Sequence, residues 1–125
     1  MFSHIMVGSN DLDRSKAFYD AVLGALGTSP GFVDRHRVFW RSPTGVFAAS
    51  LPIDGQAATH ANGGTVGFRC ESSDQVDAWH AAGLAHGGVS IEDPPGYREG
   101  PTGRMYLAYL RDPDGNKLCA MFRPS

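Results

Sequence analysis

At 125 residues and 13.4 kDa the chain is sized for one domain with its own core. Its 42% apolar and 19% charged residues argue against disorder, and a net charge of −2 offers no footprint for nucleic acid or an acidic membrane surface. No apolar run approaches the roughly 20 residues of a membrane helix. The start, Met1 to Val7, carries no basic region or cleavage site, so it does not read as a signal peptide. Cys70 and Cys119 stand alone in apolar patterns, which points to free thiols in a cytoplasmic protein rather than a disulfide scaffold or a zinc knuckle.

In chain order, Phe2 to Val7 reads as a first strand. Asp11 then caps a helix running toward Leu26, with Phe18, Ala21, Val22 and Ala25 on one apolar stripe and Gly27 as its stop. The pattern returns 61 residues later without a gap. His4 meets Thr65, Val7 meets Phe68, Phe18 meets Trp79 and Gly27 meets Gly88, and Ser72 with Gln75 has the spacing of a capping box. A second echo joins Ser42-Pro43-Thr44-Gly45 to Asp112-Pro113-Asp114-Gly115, each a turn before a last strand. That echo is offset by 70, so the second copy carries nine more residues, in or near the flexible, Pro/Gly-rich segment 92–103. The chain therefore divides into module one (1–55), a small polar linker (56–63) and module two (64–125), each reading strand, helix, strand, strand, strand.

A lone βαβββ unit covers one face of its sheet with its helix and leaves the other open. The expected fold is α+β: two tandem βαβββ modules forming a curled mixed sheet around a concave cleft. Alternation turns Ile5, Val7, Val66 and Phe68 toward the helices. It turns His4, Thr65, Met6 and Gly67 into the cleft, with Cys119 and Met121 from the last strand. Tyr97 and Arg98 sit in the long segment beside it, where an arginine can grip a carboxylate or phosphate. Of the strand pairs Tyr106–Ala108 and Leu107–Tyr109, one brings a tyrosine to the cleft; the stretch Arg35 to Arg41, with Phe39 and Trp40, lines the opposite wall. His36, His60, His80 and His86 make no metal set and read as surface residues.

His4 in the opening strand, Asp11-Leu12-Asp13-Arg14-Ser15 with Phe18-Tyr19, and Asp112-Pro113-Asp114-Gly115-Asn116-Lys117-Leu118 together resemble the vicinal-oxygen-chelate superfamily. That family includes glyoxalase I, bleomycin-resistance proteins, fosfomycin-resistance enzymes and extradiol dioxygenases. The resemblance implies a metal site built on the first and last strands of each module, where the ion acts as a Lewis acid on adjacent substrate oxygens. His4 matches such a ligand. Thr65 stands where histidine is usual, Cys119 where glutamate is usual, and Ala49 at the corresponding place in module one. One imidazole does not hold a divalent ion. The expectation is a small-molecule-binding protein without a complete family-type metal site and with no cofactor. Its substrate-binding candidates are His4, Thr65, Tyr97, Arg98, Tyr106 and Cys119, no catalytic residue is assigned, and its partners are a small organic ligand and a second copy. The alternative is a lyase, isomerase or dioxygenase acting on a small oxygenated substrate, with a divalent metal held by His4 and Cys119.

Overall fold

In the computed structural model, which describes all 125 residues, β1 (His4–Gly8) passes into α1 (Leu12–Gly24) through Asp11. The Asp11 carboxylate accepts from the Arg14 N–H at 3.1 Å and caps the first turn. At the other end Gly27 takes φ +89°, and the Thr28 N–H returns to the Leu23 carbonyl at 3.0 Å, which closes the helix. Then come β2 (Phe32–Asp34), β3 (Arg37–Ser42) and β4 (Gly45–Ser50). They form a sheet in the order β1-β4-β3-β2, with β1 parallel to β4 and the other pairs antiparallel.

Module two repeats the plan with one strand more than expected: β5 (Val66–Arg69), α2 (Ser73–Ala85), β6 (Val89–Ser90), β7 (Gly96–Gly100), β8 (Gly103–Arg111) and β9 (Lys117–Phe122). Ser72 caps α2, accepting from the Gln75 N–H at 3.1 Å. The Gln75 side chain reaches past the cap to the Glu71 N–H at 2.7 Å. The second sheet runs β5-β9-β8, and β6 and β7 share the outer side of β8, one pairing near Arg111 and the other near Gly103. The segment expected as a flexible loop is thus largely a hairpin strand. Its backbone pairs with β8 over Gly96–Gly100, which ties down the residues around Tyr97 and Arg98.

The alternation holds in both sheets. Val38, Trp40, Phe47 and Ala49 face α1, and Ala108, Leu110, Leu118 and Ala120 face α2, in one shared core with Phe18, Tyr19 and Trp79. Trp40 therefore belongs to the core and not to a cleft wall; its neighbours Phe39 and Arg41 take the other face. The two helices pack on each other, and the two sheets meet edge to ring where Phe47 of β4 and Phe68 of β5 stand 5.3 Å apart, with no pairing between their strands. A Cβ on Gly83 would run into the Leu110 side chain and come within 3.3 Å of Val22, so this glycine sets how closely α2 approaches both β8 and α1. The consequence for function is topological: each sheet keeps one face without a helix, and a single chain does not close those two faces against each other.

The Asp112–Asn116 turn fastens module two to module one. The buried Asp112 carboxylate accepts from the Tyr19 hydroxyl at 2.5 Å and from the Asn116 amide at 2.8 Å. Asn116 also donates to the Gly8 carbonyl at 3.0 Å, and Asp114 accepts from the Asn10 N–H and the Arg14 guanidinium. The corresponding turn of module one, Ser42 to Gly45, makes no hydrogen bond to the β5–α2 junction. A cavity of about 600 Å³ lies there instead, with Ile5, Leu26, Trp40, Phe47, Phe68 and Glu71 among its lining.

Candidate functional site

The helix-free faces are where side chains stand on a rigid scaffold without a covering helix, although the linker crosses the first face at Gly8, where a Cβ would come within 3.0 Å of Ala58. On the first sheet the register puts His4, Val46 and Arg41 in one row, Met6, Ala48, Phe39 and Phe32 in the next, and Gly8, Ser50, Arg37 and Asp34 in the third. Phe32 and Phe39 stack with centroids 5.4 Å apart, and the Arg41 guanidinium lies over Phe32 at 5.3 Å. On the second sheet Gly67, Cys119 and Tyr109 share a row, as do Arg69, Met121 and Leu107.

Tyr109 is the centre of the second face. The Arg98 guanidinium lies 5.6 Å from its ring centroid and the Lys117 ammonium 5.0 Å. Arg98 is held in place by donating from Nη2 to the carbonyls of Asp93 and Pro94, at 2.8 and 3.1 Å, while its Nη1 is shielded from solvent and donates to nothing. Lys117 pairs with Glu92 at 2.5 Å. Burial pushes the Cys119 thiol up from its ordinary value, and burial together with the neighbouring Cys119 does the same to the Tyr109 hydroxyl. Both are neutral near pH 7, so this spot offers a hydroxyl and a thiol beside a fixed cation.

Of the six candidates read from the sequence, three stand on helix-free faces. His4 is exposed on the first sheet, with Nδ1 2.7 Å from the Ser3 hydroxyl, and Arg98 and Cys119 stand on the second. Thr65 is exposed just before β5 begins. Tyr106 points to the opposite face, where its hydroxyl donates to Asp77 of α2 at 2.7 Å; that bond first, and burial second, pushes it up to about 12. Tyr97 follows Tyr106, edge to ring at 4.9 Å, under the Arg104 guanidinium at 3.6 Å. Tyr109 is the strand tyrosine of the helix-free face, because it lies opposite Cys119 while Tyr106 lies opposite Phe122. Sequence reading passed over Lys117 and Arg69, although the same alternation that placed Cys119 and Met121 puts both beside them.

Gly67 opposes Cys119 in module two as Met6 opposes Ala48 in module one, so Ala48, not Ala49, is the counterpart of Cys119. The offset from the turn glycine misleads by one because β4 begins on Gly45, whereas β9 begins two residues past Gly115. The change of residue leaves the chemistry the same, since neither alanine is a donor. His4 and Cys119 lie on different sheets, and nowhere in the chain do three His, Cys, Asp or Glu side chains come together with metal-holding geometry. This donor set does not fit a divalent ion within one chain.

A two-module α+β fold of this kind, with a helix-free face on each module, defines a class. The model of the Glyoxalase/Bleomycin resistance protein/Dioxygenase superfamily matches residues 1–120. The chain belongs to that superfamily. A glyoxalase/bleomycin resistance protein from Albidiferax ferrireducens T118 is 60% identical, with a TM-score of 0.97 over 98% of this chain and 99% of that one. Two more distant structures share the fold. They are a glyoxalase-related enzyme from Fulvimarina pelagi (22% identity, TM-score 0.75, 99% and 88% covered) and a lactoylglutathione lyase from Agrobacterium tumefaciens (23%, 0.66, 98% and 92%). No curated protein matches the chain. No helix is long and apolar enough to cross a membrane.

Proposed function

We propose that this chain is a small-molecule-binding protein of its superfamily whose ligand lies against the helix-free faces, in a cleft completed by a second copy of the chain. The observation that carries the reading is the pairing of a fixed, under-used guanidinium at Arg98 with Tyr109 and Cys119, beside the apolar Leu107 and Met121 of the same strand face. A few placed polar groups on an apolar wall are the usual make-up of a ligand pocket. His4 takes the part of a hydrogen-bonding imidazole and not of a metal ligand, because Thr65, Ala48 and Cys119 surround the old ligand set with poor donors.

The second reading, a lyase, isomerase or dioxygenase using a divalent ion, draws support only from His4 with Cys119 as a possible partner. Melting the protein with zinc, nickel or iron separates the two, since an ion that binds only the folded state raises the melting temperature by mass action. No shift is expected with any of the three. His4→Ala should weaken ligand binding by about 1–2 kcal/mol, the scale of one lost hydrogen bond. A clear upward shift with one metal, abolished in His4→Ala, would restore the enzyme reading.

A further inference from the structure

The basic residues of this acidic chain are not spread evenly. Alternation and register place six strand cations on the two helix-free faces: Arg37, Arg41, Arg69, Arg98, Arg111 and Lys117. The strands contribute one carboxylate to those faces, Asp34, in a chain with 13 acidic and 11 basic residues. Arg123 adds to them just past β9, with its guanidinium against the sulfurs of Met105 and Met121.

Pairing sharpens the contrast. Of the four cations elsewhere, Arg14 and Lys16 have carboxylate partners, Arg35 pairs with Asp34 at the rim of the first face, and Arg104 stacks on Tyr97 instead. On the faces only Lys117 has one, and the five strand arginines have none. Two of the arginines also keep an N–H that is shielded from water and bonds to nothing, Nη1 of Arg98 and Nε of Arg37. Arg111 and Lys117 stand directly opposite each other in the ladder. Like charges so placed cost stability, and unmade bonds of shielded donors cost more. Cations left without carboxylates gain through their charge when an anion arrives, and the low-dielectric walls around them focus their field on it.

We infer that the ligand is a small organic anion with an apolar body, its charged end held by Arg98 and its body lying along Leu107, Tyr109 and Met121. This rests on the ligand-binding reading above and narrows it to a class. Arg98 is suited to the task because two carbonyls already fix its plane, so little rotamer freedom is lost when an oxyanion docks.

The test uses two probes that share one aromatic body, 8-anilinonaphthalene-1-sulfonate and the uncharged N-phenyl-1-naphthylamine, titrated into the full chain by fluorescence. The sulfonate should bind at least about tenfold more tightly, and raising NaCl to roughly 0.5 M should remove most of that advantage. Arg98→Gln should erase the advantage and leave the neutral probe unchanged, while Arg104→Gln, on the opposite face, should alter neither. If Arg98→Gln melts early, Arg98→Lys serves instead, retaining the salt dependence with a several-fold weaker sulfonate affinity. Equal binding of the two probes would leave the ligand cleft standing and overturn its anion preference. Equal losses in Arg104→Gln and Arg98→Gln would also overturn it, as general surface charge. Binding of neither probe would sink the ligand-binding reading and this one with it.

Discussion

At the scale of single residues, the buried acid Asp112 carries more structural weight than any candidate ligand contact. It accepts from the Tyr19 hydroxyl, the Asn116 amide and the N–H groups of Asp114 and Asn116. Burial first, and the Asp112 charge second, hold the Tyr19 hydroxyl far above its ordinary value, so Tyr19 remains a donor at every working pH. Tyr19→Phe removes one bond to a charged acceptor and should cost about 1.5–3 kcal/mol in denaturant unfolding. A loss within error would mean that water or Asn116 takes over the vacated position. The thiols give a second residue-scale expectation. Burial pushes Cys70 up to about 11 and raises Cys119 as well, and only the thiolate reacts. A thiol-disulfide reagent at neutral pH should therefore find no fast thiol in the native protein and two after denaturation. One rapidly reacting equivalent would show that the Cys119 face opens in solution.

Elements are held in place here by groups that local propensity does not reveal. Gly83→Ala ought to stabilise a helix by up to ~1 kcal/mol on propensity alone. Its Cβ would instead collide with Leu110, so the substitution should destabilise by about 1–3 kcal/mol, the cost of overpacking. Gly24→Ala, at the end of α1 with nothing within 4 Å, is the control and should stabilise. Asp20 ties α1 to the next strands. Burial pushes its carboxyl up, but hydrogen bonds from Lys16 (2.6 Å), the Gly31 N–H (2.8 Å) and Trp40 Nε1 (2.9 Å) outweigh burial and hold it below its ordinary 3.8. A carboxyl lower in the folded state stabilises above its unfolded value and loses that contribution as pH falls through the folded one. The wild-type melting temperature should thus drop more steeply below about pH 4 than that of Asp20→Asn. Parallel curves would dismiss the linkage. Caps, the Gly27 stop and the strand alternation were legible in the sequence because each is a local pattern with a local cause. β7 was not, because Gly96–Gly100 alternates half-buried and exposed positions without an apolar side to betray it. The choice between Tyr106 and Tyr109 needed the β8–β9 register, a long-range fact that spacing does not encode.

For the whole molecule, the open surfaces decide the assembly. β1 and β5 each pair on one side only, and a free strand edge is a template for another chain. The first helix-free face also leaves Met6 at 39% and Phe32 at 44% exposure, more apolar surface than a lone rigid domain needs to show. A second copy of the chain, the partner proposed above, would relieve both if module one of one protomer came opposite module two of the other. The interface should be standard-sized or larger, above ~1,200 Å² in total, and sedimentation should find a dimer at micromolar concentration. Met6→Asp should shift that dimer toward monomer and abolish ligand binding together, because the cleft would be incomplete without its second wall. The salt response carries the sharpest expectation. If the walls that face each other are both cationic, screening relieves their repulsion, so the dimer should tighten as salt rises and tighten again when an anionic ligand bridges them. A dimer that weakens with salt would mean that the faces meet through opposite charges, and a monomer at every concentration would mean that each face works alone.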